Sequence, residues 1–168
     1  MAVVCTISDK VALFQQLVLD LENDLAAMVR AARATHEAAT HPEAKPENDK
    51  DTRGLELGYL AAGQSARATE QARSLNTVRA VVPRAFTRAD AIAVTALVTL
   101  RDDDSDAISH SLIAPLGGGQ RLKVSGEVVQ VVSPGAPLGT ALIGKHTGDT
   151  VELVLAGKPR SFTIEQVQ

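Results

Sequence analysis

A chain of 168 residues has room for one ordinary domain or two small units, and its 45% hydrophobic and 22% charged residues are those of a globular protein. The net charge of −3 supplies no basic face for wrapping free nucleic acid, and the single cysteine, Cys5, excludes an internal disulfide and fits a reducing cytosol. No stretch approaches the ~20 apolar residues that span a bilayer, and the start, Ala2 to Cys5, has neither the positive lead nor the apolar run of a lipoprotein signal. A cytoplasmic protein without membrane contact is therefore expected.

From Ser8 onward, Phe14, Val18, Leu21, Leu25, Met28, Ala32 and Thr35 recur in steps of four and three, the spacing of a heptad seam. Thr6 or Ser8 can cap this helix, with Asp9 well placed at its positive end. Pro42 and Pro46 forbid its continuation, and the polar run from His41 to Asp51 reads as a turn. A second stripe, Leu57, Ala61, Gln64, Ala68, Leu75, Val78 and Val82, runs until Pro83. Two helices of about thirty residues each, joined by a turn, make an antiparallel coiled-coil hairpin reaching roughly 45 Å, and the pattern alone suits a helical bundle or a dimerisation coiled coil at least as well. Residues 1–82 are assigned to this hairpin, with its tip near 41–52, and 83–168 to a second domain. Asp49 or Asp51 can cap the returning helix.

In the second domain, Ile92–Arg101 reads as a strand and Ala107–Ala114 as its hairpin partner, joined by Asp102-Asp-Asp-Ser-Asp106. Those aspartates lack the mid-loop glycine and distal glutamate of a calcium loop, so a solvated turn is expected. Gly117-Gly-Gly119 is a further turn and Val124–Val132 the next strand. After Ser133-Pro134, Pro137 can start a short helix and Gly144 can end it with a left-handed cap. Thr150–Leu155 and Arg160–Val167 then alternate like half-buried strands around Gly157-Lys158-Pro159. Gly139-x4-Gly144-Lys145 approaches a phosphate loop, but His146 stands where Ser or Thr should close it, and Thr-Ala-Leu-Ile suits a buried helix. His36 and His41 lie five apart, off the spacing of a helical metal pair, and with His110 and His146 they read as surface histidines.

The thread SP…PLGxALIGKxxGDxVEL, from Ser133 onward, resembles the C-terminal domain of the bacterial GreA/GreB transcript-cleavage factors. Gly54–Gln71 is similar to the start of that family's returning helix, aligned on Tyr59, Ala61 and Ala62. The resemblance implies an α+β architecture: an N-terminal helical hairpin followed by a small FKBP-like β-sheet domain with one short helix. It implies an accessory factor of RNA polymerase core rather than an enzyme, one that inserts its hairpin into the secondary channel and meets nucleic acid only within the elongation complex. In the family, acidic tip residues assist the polymerase's active-site magnesium in cutting backtracked RNA. The candidates here are Glu43, Glu47, Asp49, Asp51 and Glu56, with Asp49 and Asp51 as magnesium ligands shared only in the complex. No intrinsic cofactor is implied. Ser133 and Pro134 correspond to the turn that grips the polymerase.

The chain departs from the family at two places. Thr52 and Leu55 occupy the positions of the cleavage-competent Asp and Glu, and Val132 replaces the Asp before Ser133-Pro134, with three extra residues before Pro137. These departures leave two alternatives: a Gre-like inhibitor that blocks the channel, or a coiled-coil interaction protein that forms a homodimer. An FKBP-like fold also raises prolyl isomerase activity, which needs an aromatic-lined pocket that Phe86 and Phe162 alone do not supply. Arg30, Arg33, Arg67 and Arg73 can touch acidic channel walls or simply form the solvated face.

Overall fold

A computed structural model describes residues 7–41 and 52–168. The described chain divides into two compact units, 19–76 and a second that combines 7–18 with 77–168.

Two helices, α1 (Ile7–Thr40) and α2 (Arg53–Arg79), form the helical hairpin of the first unit. The expected seam is the one that turns inward: Leu21 and Ala32 are buried, and Leu25, Met28 and Thr35 half-buried. On α2, Ala61, Ala68 and Leu75 are buried and Leu57 and Gln64 half-buried. Small alanines at the inward positions let two backbones approach without large side chains between them. The helix starts at Ile7, so Ser8 lies inside it; Asp9 does sit in the first turn, and the alternative cap Thr6 falls outside the described residues. The second helix stops short of the expected Val82, which is 83% exposed. Pro83 disfavours helical geometry in the residue before it, and the chain leaves through a tightened turn in which the Val81 N–H donates to the Val78 carbonyl at 3.0 Å.

The second unit holds a six-stranded sheet of order β3-β4-β2-β1-β6-β5. Its strands are β1 (Leu97–Asp102), β2 (Ile108–Ile113), β3 (Arg121–Val124), β4 (Glu127–Val132), β5 (Thr150–Leu155) and β6 (Lys158–Val167), with the single helix α3 (Pro137–Leu142) between β4 and β5. All neighbouring strands run antiparallel except β2 and β4. The expected strand 92–101 begins only at Leu97, because residues 92–96 are spent on turns that tie down α3.

Where a single strand over 124–132 was expected, the chain makes a hairpin. Ser125 and Gly126 take φ of 50° and 86°, the pair of positive values that a two-residue primed turn needs. Ala156 and Gly157, at 51° and 78°, repeat the device between β5 and β6, so the turn precedes Lys158 and Pro159 rather than containing them. Pro159 is tolerated inside β6 because it lies beyond Phe162, where pairing with β1 ends.

One face of the sheet carries the core. Val98, Leu100, Ile113, Val132, Val151 and Ile164 pack with Leu142 of α3, and Phe162 and Leu138 lie half-buried beside them. The first turns of α1 join the same unit: Leu13, Phe14 and Leu17 are buried, and the Gln16 side-chain Oε1 accepts from the Lys123 N–H at 3.2 Å. Gly117, at φ +86°, is glycine for two reasons, since a Cβ there would also strike Leu17 Cδ1 at 2.6 Å. Lys10 is buried to 1% exposure, a costly position for an ammonium. Its Nζ donates to the Arg84 carbonyl at 2.5 Å and the Thr95 carbonyl at 3.1 Å, and lies 4.7 Å from the Phe86 ring centre. The Arg84 guanidinium stacks on the same ring at 3.8 Å. Nothing in the amphipathic pattern marks Lys10 as an interior residue.

Candidate functional site

The turn at Ser133-Pro134 is built by the segment that follows it. Ala136 is extended (φ −72°, ψ 154°) and caps α3 with its carbonyl alone, and Pro137 occupies the first helical position, where a missing N–H costs nothing. Gly144, at φ +83°, ends the helix as expected, and its N–H donates to the Ile92 carbonyl at 2.9 Å while Ile92 N–H donates to the Lys145 carbonyl at 2.8 Å. The phosphate-loop spacing is thus spent on a helix and its cap. The turn is then closed from both ends: Ala136 N–H donates to the Ser133 carbonyl at 3.0 Å, and the Thr140 hydroxyl to the Pro134 carbonyl at 3.2 Å. Gly139 is the residue that permits this packing. A Cβ on it would lie 3.0 Å from the Ser133 carbonyl carbon and 3.1 Å from Pro134 Cα, and closer still to the carbonyl oxygen.

Beside the turn, the core-bearing face of the sheet holds a cavity of about 650 Å³. Leu100, Ser111, Gln130 and Val132 line it together with Ser133 and Leu138. Phe162 is the one aromatic residue on its wall, so this cavity lacks the aromatic lining that prolyl isomerisation would call for.

The aspartate run is more than a solvated turn. Asp102 is buried at the end of β1, paired with Arg160, and its Oδ1 accepts from the N–H groups of Asp104 at 3.0 Å and Ser105 at 3.1 Å. Burial would raise the Asp102 carboxyl, but those N–H groups and the Arg160 charge outweigh it and hold it below the ordinary carboxylate range. Asp103 accepts from the Thr163 hydroxyl at 2.7 Å and the Ser161 hydroxyl at 2.8 Å, and these two bonds lower its carboxyl. The loop between β1 and β2 is therefore fastened to β6. Its exposed members, Asp104 and Asp106, face Arg160 and Arg101 across 3.9 Å and 3.4 Å.

At the other end of the molecule's sequence-predicted chemistry, Glu43, Glu47, Asp49 and Asp51 lie outside the described residues. Glu56 is described, and it serves α2. Its N–H donates to the Thr52 carbonyl at 2.9 Å, and the Thr52 hydroxyl donates to its Oε1 at 2.9 Å. Thr52 immediately precedes the first turn, and the Glu56 carboxylate sits near the helix's positive end; the expected caps Asp49 and Asp51 lie outside the described residues. Leu55, one residue earlier, is 60% exposed and Tyr59 71% exposed. Among the described residues no group of three or more His, Cys, Asp or Glu is arranged to hold a metal.

One histidine is not the surface residue expected: His110 is buried, with Nδ1 3.1 Å from the Thr99 hydroxyl. His36, His41 and His146 are exposed as expected, and His146 lies 3.9 Å from Asp149, whose carboxylate also accepts from the His146 N–H at 2.8 Å. Of the four hairpin arginines, Arg73 makes an exposed pair with Glu70 at 3.9 Å. No helix among the described residues is long and apolar enough to cross a membrane.

A helical hairpin joined to a six-stranded sheet, with a Ser-Pro turn braced between sheet and helix, defines a two-unit α+β factor. Residues 87–168 match the family model described as transcription elongation factor, GreA/GreB, C-term. Residues 87–168 are therefore a C-terminal domain of the GreA/GreB transcription elongation factor type. No curated protein matches the chain by sequence. Among solved structures, GreA factor homolog 1 (Gfh1) of Thermus thermophilus is 20% identical, over 92% of this chain and 94% of that one, at a TM-score of 0.39. Gfh1 of Thermus aquaticus is 20% identical, over 93% and 94%, at 0.38. The GreA/GreB factor of Nitrosomonas europaea is 23% identical, over 62% and 78%, at 0.37.

Proposed function

We propose that this protein is an accessory factor of RNA polymerase, docking through the Ser133-Pro134 turn and inserting its helical hairpin into the secondary channel to regulate elongation. The observation that carries this reading is the match of 87–168 to the GreA/GreB C-terminal domain in a chain whose N-terminal part is a helical hairpin. The turn suits docking because it is half-buried, braced by bonds at both carbonyls, and beside a cavity.

Two actions on the polymerase are open to such a factor, cleavage of backtracked RNA and occlusion of the channel. The start of α2 favours occlusion. Thr52 and Leu55 stand where the cleaving pattern has its Asp and Glu, and the one described acid nearby, Glu56, is held by Thr52 as part of the helix start. The described residues do not fit a metal, and no step is assigned to one.

A backtracked elongation complex in magnesium buffer tests both parts. Slowed nucleotide addition without shortening of the RNA is the expected result, and Ser133 and Pro134 changes should weaken co-purification with core polymerase. Shortening of the RNA from its 3′ end, abolished by alanine at Asp49, Asp51 and Glu56, would replace occlusion with cleavage. A protein that neither binds core polymerase nor changes its rate would overturn the reading altogether.

A further inference from the structure

The strand register sorts the lining of the cavity beside α3 into a polar end and an apolar end. Ser111 pairs with Val98 on β1 and with Gln130 on β4, and Ser109 pairs with Leu100, so Ser109, Ser111 and Gln130 stand together on the core-bearing face. All three line the cavity. Leu100 and Phe162 continue the same face towards the other edge of the sheet, and Leu138 of α3 packs beside them. The volume of about 650 Å³ lies in the range of small-molecule sites.

Ser111 is the residue that points to a ligand. It is 3% exposed, and its hydroxyl makes no hydrogen bond to another described residue. A buried hydroxyl without a partner is costly, and among Val98, Leu100 and Ile113 an apolar side chain would pack at least as well. The side chains of Ser109 and Gln130 likewise bond to no described residue. Three neighbouring polar groups thus turn unused hydrogen-bonding capacity towards one cavity.

The lining also sets the chemistry of the occupant. No Asp, Glu, Lys, Arg or His is among its residues, so a charged group would give up its hydration there with no counter-charge to replace it. The Gln130 amide presents a carbonyl acceptor and N–H donors in one plane, and the Ser111 hydroxyl beside it can donate or accept. A carboxamide is the neutral group that meets both, acceptor to donor and donor to acceptor at once. The end formed by Leu100, Leu138 and Phe162 suits an aliphatic body.

We infer that this cavity binds a small uncharged ligand carrying a carboxamide on an apolar body, the carboxamide on Gln130 and Ser111 and the body against Leu100, Leu138 and Phe162. This goes beyond the polymerase reading and does not depend on it.

Proton–nitrogen correlation NMR of the full chain, titrated separately with hexanamide, hexanoate and hexylammonium, reads the site directly. Hexanamide should give saturable shifts of the Gln130 side-chain amide and of the backbone from Ser109 to Ile113. The two charged probes should bind about tenfold more weakly. Ser111→Ala, which removes the hydroxyl, and Gln130→Glu, which keeps the shape and loses the donors, should each weaken hexanamide about tenfold, followed through the backbone signals. Gln130 is exposed, so its variant keeps the test open if the buried Ser111→Ala perturbs the strand. Absence of saturable shifts up to the solubility of hexanamide overturns the inference. So does an equal response to all three probes, which would mark an apolar patch that does not read the carboxamide. Shifts centred elsewhere in the chain, or hexanamide binding unchanged in both variants, overturn it as well.

Discussion

Gly139→Ala separates helix propensity from tertiary packing with one methyl group. Inside a six-residue helix, propensity alone favours alanine by about 1 kcal/mol. The structure reverses the sign. The new Cβ would lie 3.0 Å and 3.1 Å from main-chain atoms of Ser133 and Pro134, with the Ser133 carbonyl oxygen nearer still, and no side chain can swing aside to relieve it. The carbonyl has to retreat by about 1 Å to regain van der Waals separation. Overpacking of a rigid site costs up to about 3 kcal/mol. That carbonyl also accepts from Ala136 N–H, and the neighbouring Pro134 carbonyl from the Thr140 hydroxyl, so weakening these bonds adds about 1 kcal/mol. After the propensity gain, the net loss is about 3 kcal/mol, or a Tm lower by roughly 6–12 °C for a chain of this size.

Urea titration and calorimetry of Gly139→Ala measure this loss against Gly135→Ala, where no heavy atom lies within 4 Å of the built Cβ. The control should stay within about 0.5 kcal/mol of wild type. If Gly139→Ala matches or exceeds wild-type stability, the packing argument for the turn fails.

Two further outcomes follow from other parts of the chain. Gly58 and Gly63 lie within α2 with nothing within 4 Å of a built Cβ, so alanine at each should stabilise by about 0.5–1 kcal/mol in thermal melts, and unchanged melting would contradict that. Asp90, Asp102 and Asp103 all have carboxyls held below the ordinary value of 3.8, Asp90 chiefly by the Thr87 hydroxyl. Their folded-state affinity for protons is lower than the unfolded chain's, so the stability they contribute is complete above about pH 4 and is lost as pH falls through the lower folded values. Urea midpoints should therefore drop steeply below pH 4, and less steeply in Asp103→Asn; identical acid profiles would remove Asp103 from the account.

Periodicity alone carried the helical half of the molecule. The steps of four and three through Leu21, Leu25, Met28 and Ala32 name the inward stripe because burial on a helix follows its 3.6-residue repeat. The start and stop of α3 were equally legible, since Pro137 and Gly144 act through local backbone geometry that needs no distant partner. The two-residue turns were not, because Ser125 and Ala156 adopt positive φ only where strands on both sides impose it. Long-range partners decided the rest. Whether Asp102 is a solvated acid or a buried anchor depends on Arg160, 58 residues away, and whether Lys10 is a surface cation or an interior one depends on carbonyls at 84 and 95. The candidate site divides along the same line. The residues of the Ser133-Pro134 turn were recognisable as a motif, but its rigidity comes from Gly139 and Thr140 closing on it in space. Local sequence determined which elements exist, because propensity, capping and periodicity act over a few residues. Only the tertiary structure decided which polar groups are buried and which turn is braced, because those depend on contacts the chain makes with itself at long range.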